Sequence, residues 1–144
     1  MNPYTHILVP TDFSKTSGLA VSRAKSLVQK FGAKITVLHV VNYVPPGYIA
    51  PELPGSLATE SALIERARSY LAGWLEQYDL SDCAQLIVSG SAKTEIVNAA
   101  REQSADLIVM GTHGETGLAR FMGSTANAVI HHAHCDVLTT RLSQ

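Results

Sequence analysis

The chain has 144 residues, 46% of them apolar and 16% charged, with a formal charge of −1. This is the make-up of one globular domain over residues 1–144, large enough to bury a core. The balance excludes a basic nucleic-acid footprint and an acidic interaction tail, and no apolar run reaches the eighteen or so residues of a membrane span.

Residues Met1–His6 lack the basic flank and cleavage pattern of a signal peptide. Cys83 and Cys135 have neither metal-like nor redox spacing. A reduced, cytoplasmic setting is therefore expected, with no membrane and no nucleic-acid partner.

His6-Ile-Leu-Val-Pro10 is a short apolar run and predicts a buried strand. Thr11-Asp12-Phe13-Ser14 follows, and then Ala20, Ala24, Leu27, Val28 and Phe31 recur at helical spacing. Ser14 or Asp12 suits the N-cap of that helix and Gly32 its C-terminal stop. Lys34–Val41 is a second buried strand, which makes a βαβ unit with a parallel, right-handed crossover.

Residues Asn42–Ser56 hold four of the six prolines and read as a loop. Tyr43, Tyr48 and Ile49 either cover a ligand as a lid or pack on the base of the loop itself. Leu57–Tyr78 predicts an amphipathic helix with Leu63, Ala67, Tyr70, Leu71, Trp74 and Leu75 on its buried face. Cys83–Val88 is a third strand, followed by a helix carrying Ile96, Val97, Ala99 and Ala100. Asp106–Met110 is a fourth strand and Asp136–Arg141 a fifth, with the helical run Ala126–His132 between them. The alternation predicts an α/β three-layer sandwich on a parallel sheet. In such sheets ligands sit beyond the carboxyl ends of strands where the strand order reverses, which brings Pro10-Thr11-Asp12 toward Met110-Gly111.

Gly111–Thr125 joins the fourth strand to its helix and carries Gly111, Gly114 and Gly117 before a Gly123-Ser124-Thr125 triplet. Glycines permit close backbone approach, and a helix start offers open N–H groups with partial positive charge. The stretch is either a phosphate cradle or a plain strand-to-helix turn. His113 within it either bonds a ligand or braces the loop. Asp12, at the same mouth, either accepts hydrogen bonds from a nucleoside or serves as a cap or Asx turn. Val40, ending the second strand, offers a purine an apolar face and backbone polar groups.

Other constellations fail. Ser89–Thr94 resembles a Walker loop, but Ile87 and Ala92 stand where its glycines are required. His131, His132, His134 and Cys135 cluster, yet the chain turns there toward the last strand, so the structural role is favoured over a metal site. His39 within an apolar strand reads as a satisfied core group. There is no nucleophile elbow, no paired-carboxylate site and no metal constellation. No catalytic residue is assigned.

The motifs together resemble the universal stress protein family, UspA-like. The marks are Ile7–Ser14, Leu38-His-Val40, Asp106–Gly114, Gly123-Ser-Thr-Ala126 and Cys135-Asp-Val-Leu138, spanning essentially the whole chain. The resemblance implies a five-stranded parallel sheet of order 3-2-1-4-5, as in adenine nucleotide alpha hydrolase-like folds, and a homodimer joined through the strand Asp136–Arg141. It also implies an adenine-nucleotide site for ATP, ADP or AMP, with or without Mg²⁺. Asp12 would contact the adenosine with Pro10 and Thr11 beside it, and Val40 would lie against adenine. Met110 ends the strand that leads into Gly111, His113 and Gly114, which would line the ribose–phosphate loop. Gly123, Ser124 and Thr125 would receive phosphate.

This chain has eight residues between Gly114 and Gly123, one fewer than the ATP-binding pattern of the family, and an acidic Glu115 where a basic residue is common. Either AMP, ADP or a cyclic nucleotide is tolerated there where ATP is not, or the site is empty. The expected function is a stress-response protein regulated by a bound adenine nucleotide. The alternatives are a nucleotide-free dimeric interaction module and a slow ATPase.

Overall fold

The first strand, β1 (His6–Pro10), shows why its apolar run is unbroken: both of its faces are covered. Ile7 and Val9 point into a core beneath one helical layer and Leu8 into a second core beneath the other, all fully buried. The coordinates are a computed structural model, which describes residues 3–43, 59–112 and 123–142. Helix α1 (Lys15–Phe31), β2 (Lys34–Val41), α2 (Glu60–Glu76), β3 (Ala84–Ser89), α3 (Ala92–Glu102), β4 (Leu107–Gly111), α4 (Ser124–His132) and β5 (Asp136–Thr140) follow in order.

The five strands form one parallel sheet of order β3-β2-β1-β4-β5, as expected. Val37, Val41, Ile87 and Val109 share the face of Ile7 with α1 and α2. Leu38, Ile108 and Met110 share the face of Leu8 with α3 and α4. Chain order runs outward from β1 through β2 to β3 and then jumps back past β1 to β4, so the order reverses between β1 and β4.

Local chemistry sets the helix ends. Ser14 caps α1 by accepting the Ser17 N–H at 3.2 Å, while Gly32 closes it in the left-handed region with φ 70°. Asp12 forms the Asx turn just before, accepting the Ser14 N–H at 3.0 Å, so the two expected capping roles are divided between the two residues. Helix α2 is shorter than the apolar pattern suggests. Thr59 caps it by accepting the Ala62 N–H, and its last turn tightens where the Tyr78 N–H bonds the Leu75 carbonyl. Only Leu71 and Leu75 of α2 are fully buried, so each contributes about 1.5–3 kcal/mol of burial to a narrow seam. Trp74 packs beside them on the core, as the pattern implies.

Five strand ends shift by a residue from the sequence pattern: β3 and β4 each begin and end one residue later, and β5 ends one residue earlier. The Cys83 N–H bonds the Leu80 carbonyl in the preceding turn, so β3 begins at Ala84. Asp106 stands outside β4 because its carboxylate ties down the chain start: Oδ2 accepts the Thr5 N–H and hydroxyl, each at 2.8 Å, and Oδ1 the His6 N–H at 3.0 Å. Burial pushes this carboxyl upward, but the bonds from the His6 and Thr5 amides and the Thr5 hydroxyl outweigh it and hold its pKa below the ordinary value. Strand β5 stops at Thr140, one residue before Arg141. Helix α4 ends at His132 and Ala133 is extended, so His131 and Cys135 do not share a helical face. Among the described residues no group of three or more His, Cys, Asp or Glu is placed to hold a metal ion. Burial raises the thiol pKa of both Cys83 and Cys135, which leaves neither activated.

Candidate functional site

At the carboxyl edge of the sheet, Thr11 is the central tie. Its N–H donates to the Leu38 carbonyl at 2.8 Å and its own carbonyl accepts His39 Nδ1–H at 2.8 Å. Its hydroxyl accepts the Phe13 N–H at 2.9 Å and shares a bond with the Ser17 hydroxyl at 2.8 Å. Thr11 is buried, and every polar group it owns is engaged. Its role is to fix the turn that follows β1. His39 is the satisfied group its apolar strand suggests.

Asp12 is the exposed member of that turn. One carboxylate oxygen accepts the Ser14 N–H, and the other has no partner among the described residues. Pro10 and Met110 are buried at the ends of β1 and β4, and Met110 packs in the core under α3 and α4.

Strand β2 outruns β1. The last paired residues are Pro10 and Leu38, whereas β2 continues to Val41, paired with Ser89 of β3. Polar backbone groups alternate between the two sides of a strand. The Val41 carbonyl accepts the Gly90 N–H on the β3 side, so the N–H and carbonyl of Val40 face the β1 side, beyond the point where β1 stops. Val40 is half-buried, with its side chain on the α3–α4 face. An apolar wall beside an open donor and acceptor suits the edge of a purine.

Opposite, Gly111 ends β4 in register with Thr140. A Cβ on Gly111 would lie 2.5 Å from Thr16 Cγ2 and 3.1 Å from the Thr16 carbonyl carbon, so glycine here lets the first turn of α1 sit against β4. The Thr112 N–H bonds the Thr140 carbonyl at 3.0 Å. Thr112 is buried, and its hydroxyl has no hydrogen-bond partner among the described residues.

The Gly123 N–H donates to the Thr112 carbonyl and so pins the start of α4 to the end of β4. Gly123 is the N-cap of α4, and among the described residues no side chain caps that helix. The first-turn N–H groups, those of Ser124 and Thr125 among them, therefore have no acceptor within the helix and stand with its positive end. Ser124 is exposed and Thr125 half-buried.

The structure thus brings Asp12, Val40, Gly111, Gly123, Ser124 and Thr125 to one edge of the sheet, at the point of strand reversal. It places Pro10, Thr11 and Met110 underneath as support. His113 and Gly114 lie outside the described residues, as do Tyr48, Ile49 and Glu115. Tyr43 is described and packs against the α1–α2 core.

Two residues escape sequence reasoning. Thr112 occupies an ordinary position between Gly111 and His113. Phe13 reads as a plain apolar residue, yet it has φ 66°, and its ring stacks on His39 with centroids 4.4 Å apart. The left-handed region costs a residue with a Cβ about 1–2 kcal/mol. Ring contacts with Tyr70 at 4.6 Å and Trp74 at 5.5 Å offset that cost. A bulky residue directly after an Asx-turn aspartate is the only sequence hint of it.

Comparison with known proteins agrees with this architecture. The model of the universal stress protein family matches residues 3–141. The chain is 32% identical to universal stress protein A homolog 1 of Coxiella burnetii over 142 residues, covering 98% of this chain and 99% of the relative. Among solved structures, universal stress protein UspA from Lactobacillus plantarum superposes with a TM-score of 0.74 at 30% identity, covering 96% of this chain and 98% of that one. A universal stress protein solved in complex with cAMP gives 0.68 at 26% identity, covering 97% and 98%. The universal stress protein of Archaeoglobus fulgidus in complex with dAMP gives 0.65 at 25%, covering 98% and 100%. Sequence, topology and relatives converge: the chain belongs to the universal stress protein family.

Proposed function

We propose that this protein is a stress-response regulator that binds an adenine nucleotide at the carboxyl edge of β1 and β4 and acts as a cytoplasmic homodimer. The observation that carries the reading is the start of α4: a helix N-terminus with a glycine N-cap and no side-chain cap among the described residues, pinned beside β4 at the strand reversal. The phosphate seats on the N–H groups of Ser124 and Thr125. Asp12 accepts a ribose hydroxyl or the adenine amino group, and Val40 packs against the base. Relatives of the same fold have been solved with cAMP and with dAMP, each carrying a single phosphate. The short Gly114–Gly123 spacing and Glu115 favour AMP or a cyclic nucleotide over ATP.

The dimer forms through the outer edge of β5. Val137 and Leu138 are engaged by the two cores, while Leu142 just beyond the strand is 52% exposed. Among the described residues no helix is long and apolar enough to cross a membrane.

Thermal denaturation with ATP, ADP, AMP and cyclic AMP, with and without Mg²⁺, tests the reading. A nucleotide at a hundredfold excess over Kd stabilises by about 2.7 kcal/mol, which raises Tm by roughly 5–10 °C for a domain of this size. The absence of any shift at millimolar nucleotide refutes it.

A further inference from the structure

Among the described residues three non-glycine ones have positive φ: Phe13, Asp79 and Ser104. Asp79 and Ser104 follow the ends of α2 and α3, where small polar residues take this conformation in turns. Phe13 is different. A bulky residue holds φ 66° only where its surroundings over-determine it.

Those surroundings come from two separate elements. The ring lies tilted at 31° over His39, which is fixed in β2 and bonded to the Thr11 carbonyl. Its other contacts are edge-on, with Tyr70 at 4.6 Å and Trp74 at 5.5 Å, both on α2. The Phe13 N–H is held by the Thr11 hydroxyl at 2.9 Å. The ring is thus gripped between the sheet and α2, and the peptide it shares with Asp12 is fixed with it. If the grip is released, φ relaxes to negative values and that planar peptide turns, taking Asp12 along.

We infer that Phe13 is a positioning residue: its ring, held by His39, Tyr70 and Trp74, fixes the Asp12 carboxylate for the nucleoside and couples α2 to occupancy of the site. The inference rests on the nucleotide reading above and adds to it the element that senses the ligand. Tyr70 is 59% exposed, so a displacement of α2 changes a surface that a partner protein can meet.

Trp74 is the single tryptophan of the chain, so indole emission comes from a ring that touches Phe13 on one side and Tyr78 on another. Calorimetric titration with AMP, well below Tm, is run on the wild type, Phe13→Ala, Phe13→Gly and Phe13→Tyr while Trp74 emission is followed. Wild type and Phe13→Tyr should bind alike and change emission on binding. Phe13→Ala should bind about tenfold more weakly, because lowering the competent turn to about a tenth of the population raises the apparent Kd by that factor, and Phe13→Gly about twofold more weakly, because glycine takes either sign of φ about equally. In both, emission should stay unchanged at saturating AMP.

Phe13→Gly carries no left-handed strain, so it remains a folded test where Phe13→Ala does not. A lowered Tm with wild-type Kd in the Ala and Gly variants means that the ring only stabilises the fold and overturns the inference. An AMP-bound wild type with unaltered Trp74 emission overturns the coupling to α2. A wild type that binds none of AMP, cyclic AMP, ADP and ATP refutes the nucleotide reading itself, and the role of Phe13 falls with it.

Discussion

Gly111→Ala separates two accounts of the glycine that opens the loop after β4. If the residue is glycine for the sake of a ligand or a turn, an alanine there leaves the apo protein untouched. The packing says otherwise. The added Cβ would meet Thr16 Cγ2 at 2.5 Å and the Thr16 Cβ and carbonyl carbon at 3.1 Å each. The carbonyl carbon is backbone, so a rotamer change cannot clear it. The first turn of α1 has to back away from β4, against the Thr11–Ser17 hydroxyl bond at 2.8 Å that holds the turn in place.

Overpacking of this kind costs about 1–3 kcal/mol. The smaller unfolded-state entropy of alanine returns about 0.4–1 kcal/mol, which leaves a net loss of about 1–2 kcal/mol. Urea unfolding followed by Trp74 fluorescence measures this difference as a lower midpoint at unchanged slope. Thr16→Ser removes the nearest methyl and should recover at least about 0.5 kcal/mol of the loss in a double-mutant cycle. A Gly111→Ala protein as stable as the wild type, or strictly additive with Thr16→Ser, refutes the close-packing account.

Asp106→Asn should cost about 1–2 kcal/mol near neutral pH, because an NH2 donor replaces one of the two oxygens that accept from Thr5 and His6, at a site only partly shielded from solvent. The folded pKa of Asp106 lies below the ordinary carboxylate value, so its contribution is present above that ordinary value and is lost as pH falls through the folded one. Wild type and variant should therefore differ most above about pH 5 and converge in acid, as urea unfolding at stepped pH would show. A gap that widens in acid contradicts this linkage. Asp12→Ala and Gly123→Val should each abolish the nucleotide-induced Tm shift, and a shift retained by both places the ligand elsewhere. In β5 the Thr140 carbonyl faces β4, so the Thr139 N–H faces the free edge. Thr139→Pro should then split the dimer in sedimentation experiments with little loss of fold. A dimer that survives this change does not form by edge pairing.

The fold was legible because its signals are local and redundant. Each strand carries an apolar run set by two-sided burial, and each helix an apolar period, so the order β3-β2-β1-β4-β5 follows once the family motifs are seen. Boundaries were less so. Cys83, Asp106 and Tyr78 look continuous with their elements in composition, and hydrogen bonds to Leu80, to Thr5 and His6, and to Leu75 take them out. At the sheet edge, the places of Asp12 and Gly123 were legible because each stands between a strand and the helix that follows it, where the alternating pattern puts the carboxyl end of the sheet. Phe13 and Thr112 were not, because φ and the burial of a hydroxyl depend on contacts distant in sequence.

Pro10, Thr11 and Met110 show the same limit from the other side. Motif position assigns a whole run of residues to a ligand, whereas burial divides them. Thr11 has no polar group left to offer, since Leu38, His39, Phe13 and Ser17 take all of them. Asp12, its exposed neighbour, has a carboxylate oxygen to spare among the described residues. The two residues therefore answer to different chemistry. A change at Thr11 strips bonds from a buried turn and lowers stability first, with binding lost as a consequence. A change at Asp12 removes one Asx-turn bond at the surface and leaves the core intact. Side by side, Thr11→Val and Asp12→Ala should fall on opposite sides of a plot of stability against nucleotide affinity, the first mainly destabilised and the second mainly unable to bind. Two variants with the same ratio of stability loss to binding loss would mean that the turn acts as one unit, with no division between the residue that supports and the residue that contacts.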